Sequence, residues 1–187
     1  MSIKKKPQLI AAALTLAAIT GLAGCASNSN TNQEGQPPVR SSQVVDNDGR
    51  MAGQIYSDFL KKPIANQSHV NVSVFNSRVL LTGQVPSTEL KQQLHQIAAS
   101  TQGQKGVYDA VKVAENTSDW RHIQDSWITG RVKHALNIDS DRVLVLTENS
   151  TVYLMGMVYD YEANSLAKQA ASVGGVNGVV KAFQIIK

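Results

Sequence analysis

Apolar and polar residues alternate along this chain in several distinct rhythms, and each change of rhythm marks an element. Residues 9–22 form one apolar run, too short for a comfortable membrane span. Residues 27–48 are rich in Ser, Asn, Gln and Pro, with almost no large apolar side chain before Val39, which predicts a flexible tether. Met51, Ile55 and Phe59 then recur at every fourth position, the spacing of a short amphipathic helix that Pro63 closes. Val70, Val72 and Val74 alternate, Asn76-Ser77-Arg78 interrupts, and Val79, Leu81 and Val85 alternate again, as in a β-hairpin. Leu90, Leu94, Ile97 and Ala98 return to helical spacing. After Gly103 and Gly106, Val107, Val111 and Val113 give a third strand. The unit over residues 49–113 therefore reads α-β-β-α-β.

The same unit occurs twice. At an offset of 73, Val70, Val72, Asn76, Ser77, Val79, Leu81, Gly83, Val85 and Glu89 meet Val143, Val145, Asn149, Ser150, Val152, Leu154, Gly156, Val158 and Glu162. One deletion later, at an offset of 72, Ala98-Ala99-Ser100 meets Ala170-Ala171-Ser172, Gly103 meets Gly175, and Gly106-Val107 meets Gly178-Val179. Matches in this density mean duplication. Upstream, Ile128, Val132 and Leu136 repeat the helical spacing of the first copy, and Asp125-Ser126 predicts an N-cap, so that the second opening helix would cover residues 126–136. The second copy is expected over residues 119–187, behind a linker at 114–118.

The start of the chain has an export signal: Lys4, Lys5 and Lys6 precede the apolar run, and Leu22-Ala23-Gly24-Cys25 follows it. That tetrapeptide resembles the lipobox of bacterial lipoproteins. The resemblance implies cleavage before Cys25, acylation of that cysteine, palmitate included, and anchorage by the acyl chains, each buried methylene adding roughly 0.8 kcal/mol. Ala26 and Ser27, in place of an aspartate, imply delivery to the outer membrane, facing the periplasm. Cys25 is the only cysteine, so packing and not disulfides must stabilise the body. The formal charge of +4 falls to about +1 when the three signal lysines leave, which gives no reason to expect a nucleic-acid partner.

The Val-x-Val hairpin with its Val-x-Leu-x-Gly-x-Val second strand, and the Gly-Val before the last strand, resemble the BON domain family. The resemblance implies an α+β fold of two tandem domains, each a three-stranded mixed sheet covered on one face by two helices. Together with the lipobox, it is similar to dual-BON outer-membrane lipoproteins, which implies phospholipid binding and a part in envelope integrity, sometimes at the division site.

Enzyme signatures are lacking. His69, His95, His122 and His134 form no metal-ligand spacing, and no phosphate loop or nucleophile elbow occurs, so no catalytic residue, metal or cofactor is expected. Function should show where the copies differ. On the outward side of the hairpin the first copy carries Asn71, Ser73, Thr82 and Gln84, the second Leu144, Leu146, Tyr153, Met155 and Met157, an apolar face that wants a cover from the other domain or a partner. On the second opening helix, Trp127, Arg131 and His134 fall on one outward flank at i, i+4 and i+7, where the first copy is read as having Gln54, Asp58 and Lys61. Gly130 lies within that flank, and Trp120 joins it if the helix begins earlier, although Asp125 would then point toward the core. Two functions from different classes follow. One is binding of anionic phospholipid, phosphatidylglycerol foremost, through Trp127, Arg131, His134, Gly130 and Trp120. The other is a non-catalytic adaptor docking an envelope protein through the second domain.

Overall fold

Two tight turns organise the molecule. Asn76 and Ser77 adopt φ of 49° and 65°, and Asn149 and Ser150 adopt 49° and 60°. Two successive left-handed residues make a type I′ turn, whose twist matches that of the flanking strands. The computed structural model describes residues 38–114 and 119–186, with side chains from residue 123 onward in the second stretch. In the first copy, α1 (Ser42–Leu60) leads into β1 (His69–Phe75) and β2 (Arg78–Val85), then α2 (Thr88–Ser100), β3 (Gly106–Asp109) and β4 (Lys112–Val113). The second copy repeats the order with α3 (Asp119–Leu136), β5 (Val143–Glu148), β6 (Thr151–Tyr159), α4 (Asp160–Ala171) and β7 (Gly178–Ile186).

Each hairpin is antiparallel, and the last strand returns parallel to the hairpin's second strand, β3 and β4 along β2 and β7 along β6. A parallel return needs a crossover, which α2 and α4 supply. The third strand of the first copy is interrupted between Asp109 and Lys112. There the Asp109 carboxylate accepts the Val111 N–H at 3.0 Å, taking that amide out of the ladder, and Gly83 opposite it adopts φ of +109°. Gly83 and Gly156 are both required by close approach: a Cβ would lie 2.0 Å from the His69 carbonyl oxygen in one copy and 2.4 Å from that of Arg142 in the other.

One face of each sheet packs on its own two helices. Ile55, Phe59, Leu90 and Leu94 meet Val79, Leu81 and Val85 in the first copy, and Ile128, Val132 and Leu166 meet Val145, Val152 and Leu154 in the second. Burying each such side chain contributes about 1.5–3 kcal/mol.

Both opening helices start earlier than expected. Ser41 caps α1, its hydroxyl accepting the Val44 N–H, so residues 42–48 are helix and not tether. Asp125 is not a cap but lies within α3, buried, and the reason is a contact that periodicity does not reveal. Its carboxylate accepts the N–H groups of Asn149 and Ser150 at 2.7 and 2.8 Å. In the first copy Asp48 accepts Asn76 and Ser77 at the same two distances. The left-handed turn points two backbone donors at one side, and a carboxylate on the helix answers both.

Removing either carboxylate strands two amides. Asp48→Ala and Asp125→Ala should each cost on the order of 2 kcal/mol, with Asp125→Asn milder because one oxygen still accepts. Urea unfolding measures this, and a wild-type midpoint in both alanine variants would mean that the clamps do not stabilise the fold.

Candidate functional site

The five apolar residues on the outer face of the second sheet are at the seam between the two domains. Tyr153 and Met155 are buried in one cluster with Phe75 and Leu80 of the first copy, and Leu144, Leu146 and Met157 pack half-buried around them. Phe75 and Leu80 face outward by alternation with Val74 and Val79, and the pattern of polar outward residues in the first copy hid them. Beside this apolar half lies a polar half. Buried Glu148 accepts from Gln84 Nε2 at 2.9 Å and from Asn71 Nδ2 at 3.2 Å, while Asn76 Nδ2 donates to Gln184 Oε1 at 3.0 Å. Phase along the repeat is revealing here: Glu148 occupies the place that Phe75 has in the first copy. Arg40 seals the edge, its guanidinium 3.8 Å above the Phe75 ring, bonded to Asp48 at 2.9 Å and 3.9 Å from Asp141. Burial raises the pKa of the Tyr153 phenol above its usual 10.0, and the nearby Glu148 and Tyr108 raise it further.

With the outward sheet faces against each other, the helices occupy the outside of both domains. On α3 the structure brings Trp127, Gly130, Arg131 and His134 to one open groove, together with Ala135 and with Ser172, Val173 and Gly174 from the turn between α4 and β7. Trp127 is 72% exposed, unusual for the largest apolar side chain. Arg131 bends across the groove, Nη1 donating to the Gly174 carbonyl at 3.1 Å. No carboxylate among the described residues lies within ion-pair distance of it. Gly130 has nothing within 4 Å of a would-be Cβ, so it keeps the groove open and is not demanded by packing. The side chain of Trp120, like Cys25, lies outside the described residues.

The shared carboxylate clamps, Asp48 and Asp125, set the helices in register at an offset of 77 and not 73. The counterparts of Trp127, Arg131 and His134 are therefore Arg50, Gln54 and Ser57, replacing Gln54, Asp58 and Lys61. Gly130 then matches Gly53, which also has open space around it. The wall formed by Ser172, Val173 and Gly174 went unrecognised, although one signal was available: Gly174 stands where the first copy has Gln102.

The fold is a duplicated α+β module, joined through its sheets, with a basic and aromatic groove on one outer helix. The chain belongs to the BON domain family, whose model, described as BON domain, matches residues 47–115 and 124–187. It is 34% identical over 127 residues to the "Outer membrane lipoprotein DolP" of Haemophilus influenzae, covering 66% of each chain. It is 30% identical over 155 residues to the "21 kDa hemolysin" of Actinobacillus pleuropneumoniae, covering 75% of this chain and 80% of that one. Among solved structures, CdsD, a structural protein of the type III secretion system of Chlamydia trachomatis, aligns at 13% identity over 73% of this chain and 92% of that one, with a TM-score of 0.30, too distant to bear on function.

Because Gly130 is exposed in a helix interior with free space around it, Gly130→Ala should raise stability by up to about 1 kcal/mol. Gly130→Leu should fold equally well while filling the groove. Thermal unfolding of both variants checks this, and a fall in midpoint for Gly130→Ala would show that the glycine serves packing after all.

Proposed function

We propose that this chain is an outer-membrane lipoprotein, anchored by acyl chains on Cys25 and facing the periplasm, whose second domain binds anionic phospholipid and thereby supports envelope integrity. The observation that carries the reading is an exposed Trp127 beside Arg131 and His134 on a groove that the scaffold does not require. Tryptophan suits the headgroup region because its ring is apolar while its N–H stays hydrated. An arginine without a carboxylate partner adds roughly 1 kcal/mol of attraction to a charged leaflet and a two-pronged grip on phosphate. Neither would hold a soluble body on a bilayer, but the acyl chains remove that demand and leave the groove to select lipid and orientation. The similarity to a protein named an outer membrane lipoprotein supports the location. Among the described residues no helix is long and apolar enough to cross a membrane.

The adaptor reading has lost one of its two surfaces, since the apolar sheet face is buried at the seam. It retains Trp127 as a hot spot for a protein partner.

The body from residue 38 onward should bind vesicles containing phosphatidylglycerol and release them as salt rises. Trp127→Ala and Arg131→Glu should weaken binding, whereas Gln54→Ala in the first copy should not. Equal binding by all four proteins, or no binding by the wild type at low salt, would transfer the groove to a protein partner. For the anchor, Cys25→Ala should yield a protein that leaves the membrane fraction. Full retention of that variant, with no acyl chains in the mass of the mature wild type, would refute lipidation.

A further inference from the structure

We propose that Gly174 is a specificity-determining residue of the groove, acting through Arg131: it holds the guanidinium so that its remaining N–H fork faces the groove and takes the phosphodiester of an anionic lipid headgroup. The inference rests on the phospholipid reading above and assigns to it a residue from a different element.

Three observations converge on Gly174. Its carbonyl accepts Arg131 Nη1 at 3.1 Å, tying a long, exposed side chain to the backbone of the turn. A Cβ built on Gly174 would meet Arg131 Nη2 at 3.4 Å and Nη1 at 3.8 Å, ordinary van der Waals contact, so the guanidinium borders the space that a longer side chain at this position would enter. The backbone there does not demand glycine: the adjacent Gly175 has φ of +95° and no such value applies to Gly174. The first copy confirms that a side chain is compatible with this turn, because Gln102 stands at the same place, one residue before Gly103, which shares the positive φ. The first copy also has Gln54 where the second has Arg131. Arg131 and Gly174 thus occur together, in the domain that carries Trp127.

Physically, an unrestrained surface arginine loses much of its side-chain freedom when it grips a phosphate, which reduces net affinity. Spending one N–H on a backbone carbonyl orders the guanidinium beforehand and leaves other donors of the planar fork for the ligand. Lysine has no such geometry, since its ammonium is a point charge. Gly174 is therefore a positioning residue: selection between charged and neutral headgroups should depend on it, while nonselective contact through Trp127 should not.

The test uses the full lipidated chain, with Trp120→Phe so that only Trp127 emits, reconstituted through its own anchor into vesicles of phosphatidylcholine alone or with phosphatidylglycerol. Quenching of Trp127 by a spin label at headgroup depth reports occupancy of the leaflet. In the wild type, quenching should rise with the phosphatidylglycerol fraction. Gly174→Gln, which installs the residue of the first copy, should lower that lipid preference roughly threefold to tenfold, with an unchanged thermal midpoint and unchanged quenching in phosphatidylcholine. Arg131→Lys should lower the preference similarly, and the double variant should lose no more than the worse single one. Gly174→Ala, whose methyl group would only touch the guanidinium at ordinary contact distance, should keep the wild-type preference, and a loss as large as that of Gly174→Gln would overturn a role for the longer side chain. Full lipid preference in Gly174→Gln, or additive losses in the double variant, would overturn the role of Gly174. Absence of any lipid preference in the wild type would overturn the phospholipid reading as well.

Discussion

Five large apolar side chains on the outer face of the second sheet cannot remain in water, and the arrangement of both domains follows from covering them. Phe75 and Leu80 supply the cover, so the sheets meet and the helices are turned outward. The first copy meets that patch with a mostly polar face, on which Gln84 is buried. Glu148 answers this by sitting at the phase of Phe75, where a carboxylate can accept from both Asn71 and Gln84. The seam thus holds an apolar half for affinity and a polar half for register. Truncating Glu148 would remove the acceptor that the buried Gln84 amide meets at 2.9 Å, a larger penalty than the loss of a surface pair.

Within each domain the carboxylate clamp is the tie that repeats. Asp48 and Asp125 each neutralise two donors of a turn whose left-handed conformation leaves them without strand partners. Helix and hairpin are thereby fixed together across more than twenty residues of intervening chain. In the first copy the same aspartate binds Arg40, which reaches both Phe75 and Asp141, so the residues just before α1 are fastened at the seam. The opening helix α1 begins at Ser42, ahead of Gly49.

Duplication separates scaffold from function. Residues held in common, such as the clamp aspartates and the strand glycines, answer steric or hydrogen-bonding demands present in both copies. Residues found in one copy answer something else. The apolar sheet face has its explanation in the seam. Trp127, Arg131 and Gly174 have none in packing, since Trp127 stands in solvent, Arg131 lies in an open groove, and the turn at Gly174 tolerates glutamine in the other copy. That asymmetry directs attention to the groove and not to any buried cluster.

The sequence by itself determined the duplication, the α-β-β-α-β order, both hairpin turns and the placing of Trp127, Arg131 and His134 on one flank, because these depend on spacings of two, three and four residues along a local backbone. It misjudged the start of α3, since an aspartate before an apolar run looks like a cap until the turn it serves, more than twenty residues away, is seen beside it, and the start of α1, since residues 42–48 are polar enough to look like tether. It left Phe75 and Leu80 unassigned, since an outward apolar residue acquires its meaning only from the face it meets. The wall of the groove had the same fate: Gly174 is forty-three residues from Arg131 along the chain, and only the packing of α4 against α3 makes them neighbours. Contacts between elements are set by which surfaces bury best together, and no local periodicity records that choice.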